Sequence, residues 1–126
     1  MKNKYLNIFA ILSFFMFGMS FNAFSYTLKE CLEISDVVNA DVPQKIDPMT
    51  DLVSTHCKLG PYFVYNYALD NSITAIPNNF KKVTIIKYCS LSTFKPILNG
   101  MKGVELDYFN KKGKFLDKVQ FSKTDC

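Results

Sequence analysis

The longest apolar stretch of this sequence lies close to its amino terminus, over residues 8–19, and it follows two lysines, Lys2 and Lys4. A helix of this length would rise only about 18 Å, which is too short to cross a hydrocarbon core of about 30 Å. A short apolar run behind a positively charged start is typical of a secretory signal. The pattern therefore predicts a signal peptide and not a membrane-spanning helix.

The residues after the apolar run indicate where the signal ends. Ala23 and Ser25 place small side chains at the two positions before the cleaved bond that a signal peptidase pocket must admit. We predict cleavage before Tyr26, which gives a signal peptide over residues 1–25 and a single domain over residues 26–126. This domain would be periplasmic or secreted, with no stable membrane anchor.

Helical periodicity begins directly after the predicted cleavage site. Thr27 and Glu30 have the spacing of a capping box, in which each side chain bonds the backbone of the other residue. Apolar and small side chains then recur at helical spacing, which predicts a helix from Leu28 to Val38. Pro43 and Pro48 restrict the residues before them to extended conformations, so we predict a linker or an edge segment there.

Two hairpins account for much of the remaining apolar pattern. Residues 52–58 are predicted to pair with 62–69, and residues 104–110 with 114–122. In the first turn, Gly60 supplies an unusual dihedral angle before Pro61. In the second turn, Asn110 opens a type I turn and Gly113 takes the left-handed position.

The segment between the hairpins fits two different structures. Pro77 suits the first turn of a helix, because that turn leaves backbone N–H groups unpaired. Such a helix would bury one apolar stripe, made of Phe80, Val83 and Ile86. The β-branched run from Val83 to Ile86 also fits a strand, so the pattern leaves both structures open.

A short second helix is predicted after this segment, with Ser90 or Ser92 as its N-cap and Asn99-Gly100 at its end. The elements together predict an α+β fold. We expect a small antiparallel sheet of two hairpins, with helices on one face.

Four cysteines lie in the predicted domain: Cys31, Cys57, Cys89 and Cys126. A domain of about one hundred residues has a marginal core, and an even number of cysteines in an exported chain is typical of disulfide bonds. The count alone allows three pairings. A metal site is not favoured, because there is no Cys-x-x-Cys motif and the only histidine, His56, adjoins Cys57, so the two would point to opposite faces of a strand. We predict no metal and no cofactor.

The charge of the predicted domain favours neither nucleic acid nor an acidic membrane as a partner. Without Lys2 and Lys4, 13 of the 15 basic residues remain (15 − 2) against 11 acidic residues, which gives a net charge of about +2. This excess is too small to indicate binding to nucleic acid or to an acidic membrane surface.

The carboxy-terminal part of the chain resembles a group of small exported bacterial proteins, largely uncharacterised. The similarity lies in Cys89, Leu98-Asn99-Gly100, the run from Val104 to Tyr108, Gly113 and Cys126, with a segment like Asp47-Pro-Met-Thr50 upstream. The resemblance implies a ββαββ-type domain and a bond between Cys89 and Cys126, but no activity. Cys31 and Cys57 lie outside the pattern. Their pairing is predicted only because they are the two cysteines left once Cys89 and Cys126 are paired.

Two residue pairs bear on catalysis. Glu105 and Asp107 would share one face of a strand about 6–7 Å apart, a spacing that invites comparison with acid–base hydrolases. Any solvated strand face shows the same spacing, and no phosphate loop or catalytic triad accompanies it. His56 and Cys57 are strand neighbours and point apart, so they form no nucleophile–base pair. We therefore predict no enzyme, with a small secreted hydrolase or toxin using Glu105 and Asp107 as the alternative.

The strand over residues 62–69 is apolar on both faces. One face, with Phe63, Tyr65, Tyr67 and Leu69, is expected to pack on helices. The other face would be covered by the helix at residues 28–38, by a second copy or by a partner, because monomers seldom expose large apolar patches. Its tyrosine and asparagine combine apolar area with polar tips. We predict a binding surface at Tyr62, Val64 and Asn66.

These patterns together predict an exported, non-enzymatic binding protein. Inhibitors, immunity proteins and accessory factors of an envelope or secretion assembly belong to this class. The expected partner is another envelope or secreted protein, or a second copy of the chain.

Overall fold

The computed structural model describes residues 25–126, so the predicted signal peptide lies outside the described residues except for Ser25. Within residues 25–126, no helix has the length and apolar content that crossing a membrane requires. The elements are α1 (Leu28–Asn39), β1 (Gln44–Asp47), β2 (Thr50–Lys58), β3 (Tyr62–Leu69), α2 (Phe80–Ser90), α3 (Lys95–Gly100), β4 (Gly103–Asn110) and β5 (Phe115–Phe121). Short 3₁₀ turns occupy Ser92–Phe94 and Lys123–Asp125.

The five strands form one sheet in the order β1-β2-β3-β4-β5. Both predicted hairpins are present, but the prediction of an antiparallel sheet is wrong in one respect. β3 and β4 run parallel, from the pair Tyr62 and Gly103 to the pair Leu69 and Asn110. The reason is the connection between them, since α2 and α3 return the chain to the end of the sheet at which β3 began. The fold is therefore α+β with a mixed sheet.

The amino-terminal helix α1 has the predicted capping box. Glu30 N donates to Thr27 Oγ1 over 3.1 Å, and Thr27 N donates to Glu30 Oε1 over 2.8 Å. The helix packs on β2, where the Ser35 and Thr55 hydroxyls are hydrogen-bonded at 2.8 Å. This buried contact fixes α1 on the same side of the sheet as the other helices.

The segment that fitted both helix and strand is helical, but its buried stripe differs from the prediction. Val83 and Ile86 are 56% and 61% exposed, while Phe80, Thr84 and Tyr88 face the core. The helix starts at Phe80 and not at Pro77, and its aromatic side chains set its rotation. The Phe80 ring packs edge-on against Tyr108 at 5.1 Å.

The short second helix is present as a 3₁₀ turn followed by α3, and it ends at Gly100 as predicted. Its predicted N-cap is wrong, because neither Ser90 nor Ser92 caps it. Ser90 Oγ instead donates to Lys87 O and closes the end of α2.

Two disulfide bonds hold the helices to the sheet. Cys31 joins α1 to Cys57 of β2, and Cys89 joins α2 to the carboxy-terminal Cys126. Both bonds confirm the predicted pairing. The helices lie on one face of the sheet, as predicted, and the core forms between them and that face, with Ile34, Phe63, Ile97, Leu106 and Val119 among its most buried members.

Candidate functional site

A cleft of about 820 Å³ lies on the helical side of the sheet, at the end where β3 terminates. The turn between β1 and β2 forms one wall, and the loop after β3 and helix α2 form the other walls. Tyr67 and Tyr108 contribute to its sheet side. Its apolar lining consists mainly of Ile46, Met49, Leu69, Ile73, Ile76, Phe80 and Val83.

Local hydrogen bonds hold the two loops that border the cleft. Asp47 Oδ1 accepts from Met49 N over 2.8 Å inside the β1–β2 turn. Asp70 Oδ2 accepts from both the backbone N–H and the hydroxyl of Ser72, over 3.1 and 2.7 Å. These hydrogen bonds from Ser72 lower the pKa of Asp70. Because each loop is held by its own side chains, the walls are formed without a partner.

Tyrosine hydroxyls give the cleft a polar element. The Tyr67 and Tyr88 hydroxyls are hydrogen-bonded at 2.8 Å. Burial raises the pKa of Tyr67 well above its usual value, and burial likewise raises the pKa of Tyr108. Both side chains therefore stay neutral, and the cleft offers apolar surface with neutral hydroxyls.

Two exposed apolar side chains extend the cleft to the surface. Val83 on α2 is 56% exposed, and Met49 on the β1–β2 turn is 40% exposed. The sequence pattern assigned Val83 to a buried stripe and did not indicate the cleft. The available signal in the sequence was the pair Ile73 and Ile76, two large apolar residues in a loop whose other residues are small or polar or are proline.

The predicted surface residues Tyr62, Val64 and Asn66 do come together, on the face of the sheet opposite the cleft. We call this the helix-free face. Among residues 25–126, the helices pack on the other face, so the alternative that α1 covers this face is wrong. Cys31 of α1 is bonded to Cys57, which lies in register with Phe63 and so points to the helical side.

The three predicted residues differ in accessibility. Val64 has no exposed surface. The Asn66 amide nitrogen lies 3.1 Å from Ser54 Oγ and 2.9 Å from His56 Nδ1, so this amide is hydrogen-bonded to β2. Tyr62 is partly exposed, and its ring lies so close over Gly103 that a Cβ at that position would clash with it. Of the three residues, Tyr62 and Asn66 are the ones with accessible surface.

Glu105 and Asp107 share the helix-free face, but they are not a solvated pair. Glu105 is 1% exposed, and its carboxylate accepts from Lys58 Nζ over 2.7 Å and from Gln120 Nε2 over 3.2 Å. Lys118 Nζ lies 3.9 Å away. Burial alone would raise the pKa of Glu105, but hydrogen bonds from Asp107 and Lys58 outweigh it and lower that pKa.

Asp107 is the less well paired carboxylate. It is 9% exposed, and its Oδ1 is buried without a hydrogen-bond partner. Burial, followed by the hydrogen bond and charge of Glu105, raises the pKa of Asp107 to about 6. Two carboxyl groups with opposed pKa changes resemble an acid–base pair, but the cleft lies on the other side of the sheet. His56 also lies on the helix-free face, while the neighbouring Cys57 is oxidised and offers no thiol.

The fold and the cleft together are those of a small disulfide-bonded α+β domain with a preformed, largely apolar cleft. No family model matches the chain, and no curated protein matches it in sequence. Solved structures do share its fold. A Pseudomonas aeruginosa protein described as secreted superposes with a TM-score of 0.66 at 11% identity, covering 79% of this chain and 91% of its own.

Two further solved structures are pilotins of type II secretion systems. EpsS of Vibrio vulnificus has a TM-score of 0.62 at 13% identity, covering 79% of this chain and 90% of its own. AspS of Vibrio cholerae has a TM-score of 0.61 at 13% identity, covering 79% of this chain and 91% of its own. At these identities the likeness establishes a common fold.

Proposed function

We propose that this protein is an exported accessory factor that binds a segment of another protein of an envelope secretion assembly, and that it is not an enzyme. The observation that carries the proposal is the apolar cleft beside α2. Pilotins of type II secretion systems have the same fold, which supports an accessory role in secretion over the inhibitor and immunity roles.

The chemistry of the cleft favours binding over catalysis. Of the residues that the structure describes, Asp47 and Lys87 are the charged ones in its lining, and His56 lies on the opposite face of the sheet. Acid–base catalysis needs titratable groups within hydrogen-bond reach of one reacting atom. An apolar cleft with exposed apolar rims is instead typical of a surface that a partner covers.

Export is part of the proposal, with cleavage before Tyr26. Tyr26 is the first buried residue of the described chain, and its N–H donates to Gly100 O over 2.7 Å. Ser25, just before it, is exposed. The two disulfide bonds suit an oxidising compartment. The intact mass of protein from the native host is expected to correspond to a chain beginning at Tyr26, and a mass that retains residues 1–25 would contradict this.

The helix-free face with Tyr62, Val64 and Asn66 is a second surface that we propose for binding. The observation that favours it is the half-exposed Phe115, which packs against Phe109 at 5.5 Å on the same face. A partner that covered this face would remove this apolar area from water. One crosslinking experiment separates the two surfaces.

A photo-crosslinking amino acid is placed at Val83, Tyr62 or Ile86, one position at a time, in the protein expressed in its native host. Ile86 is the control, because it is as exposed as Val83 on the same helix but does not line the cleft. We expect Val83 to capture a component of a secretion assembly and Ile86 to capture little. Equal capture at Val83 and Ile86, or capture at Tyr62 alone, would overturn the assignment to the cleft.

A further inference from the structure

We infer that the segment bound in the cleft carries an acidic side chain next to its apolar residues, and that Lys87 is the residue that selects it. The inference rests on the proposed function, because it takes the ligand of the cleft to be a protein segment.

The two charged residues of the cleft lining are engaged differently. Asp47 is used inside the β1–β2 turn, where its carboxylate accepts from Met49 N. Lys87 takes part in none of the ion pairs formed within residues 25–126. Its ammonium group is therefore the positive charge of the cleft that is available to a bound segment, while Asp47 keeps its negative charge in the β1–β2 turn.

The helix that carries Lys87 makes this wall of the cleft positive. α2 has three lysines, Lys81, Lys82 and Lys87, and no acidic residue. Lys81 pairs with Asp117 at 3.4 Å, which leaves the charges of Lys82 and Lys87. Complementary charge favours an acidic segment and disfavours a basic one. Since only Lys87 of these two lines the cleft, it contacts the bound segment directly.

The position of Val83 indicates that the bound segment also carries an apolar side chain. Val83 precedes Lys87 by four residues, so the two side chains are neighbours on one face of α2. Met49 faces them from the opposite rim, and its flexible side chain adapts to different apolar groups. A segment that fills the cleft would place an apolar side chain against Val83 and an acidic side chain against Lys87.

The test selects peptides from a phage-displayed random library on the exported, disulfide-bonded protein. The same selection is made on the Lys87→Glu variant and on the matched control Lys82→Glu. We expect peptides rich in apolar and acidic residues from the wild type and from K82E. The K87E variant is expected to select basic residues in place of acidic ones and to bind the wild-type peptides about tenfold more weakly.

The outcomes separate this inference from the proposed function. Peptides that lose binding in the Val83→Asp variant occupy the cleft, and their acidic content then decides the inference. If such peptides show no enrichment in Asp or Glu, or if K82E changes their binding as much as K87E, Lys87 is not selective and the inference is overturned. If no selected peptide is sensitive to V83D, the cleft does not bind protein segments and the proposed function fails with the inference.

Discussion

Replacing Asp107 by asparagine tests the electrostatics of the helix-free face. Burial and Glu105 raise the pKa of Asp107 from 3.8 to about 6, so the folded protein holds this proton more tightly than the unfolded chain does. A carboxyl group with a raised pKa stabilises the fold while it is protonated, and this contribution is lost as the pH rises through 6. The neutral amide of the Asp107→Asn variant has no such dependence.

The expected change in the free energy of unfolding follows from the pKa of Asp107 in the unfolded chain, 3.8, and in the folded protein, about 6. At pH 5, about one unit below the folded pKa, the bound proton contributes about 1.4 kcal/mol, and at pH 7.5 it contributes almost nothing. The pKa of Glu105 is lowered, so its own contribution is lost only at more acidic pH. Between pH 5 and 7.5, the free energy of unfolding of D107N should therefore rise by about 1.4 kcal/mol relative to the wild type.

The assay is urea unfolding followed by far-ultraviolet circular dichroism at several pH values. Contributions from Lys58 and Lys118, the lysines whose charges act on Asp107, are largely common to both proteins and cancel in the difference. Asp117→Asn is the control, because Asp117 is a half-exposed carboxylate that pairs with Lys81. A difference between D107N and wild type that stays constant with pH, or that falls as the pH rises, would refute the reasoning.

Three further predictions concern the fold. Replacing Cys89 and Cys126 by serine should lower the free energy of unfolding by about 4 kcal/mol, the chain-entropy value for a separation of 37 residues, and a loss below about 1 kcal/mol in urea unfolding would contradict this. Gly100→Ala should cost about 1–3 kcal/mol, because the new methyl group would collide with the Tyr26 ring; an unchanged melting temperature would show that the ring moves freely. Tyr67→Phe removes the hydrogen bond between the Tyr67 and Tyr88 hydroxyls and should lower the free energy of unfolding by about 1 kcal/mol in urea unfolding. An unchanged free energy of unfolding would mean that water takes the place of the lost hydroxyl.

The sequence predicted those elements whose causes are local. The capping box needs only Thr27 and Glu30, and both of its bonds are present. The two turns need a residue that tolerates positive φ, and Gly60 and Gly113 have φ values of 156° and 86°. Because the capping box and the turns each depend on a few neighbouring residues, they can be predicted from the sequence without knowledge of the fold.

Features that depend on distant segments were not predictable in the same way. The parallel pairing of β3 and β4 follows from the path of the helical connection and not from either strand. A helix between two strands is itself the signature of a parallel pair, so this part of the topology was available from the element order. The cleft combines the β1–β2 turn, the loop after β3 and one face of α2. Its existence depended on the rotation of α2, which the contact of Phe80 with Tyr108 decides.

The arrangement of the two ends of the sheet bears on how the cleft would be used. Near the start of the described residues, the Tyr26 N–H donates to Gly100 O, just before the start of β4. The cleft lies at the other end of the sheet, where β3 and β4 end. A strand of eight residues spans about 26 Å, so Tyr26 and the cleft are separated by most of the length of the sheet. The amino terminus that the proposed cleavage before Tyr26 would leave therefore lies at the far end of the domain from the cleft, and the cleft stays open to a partner.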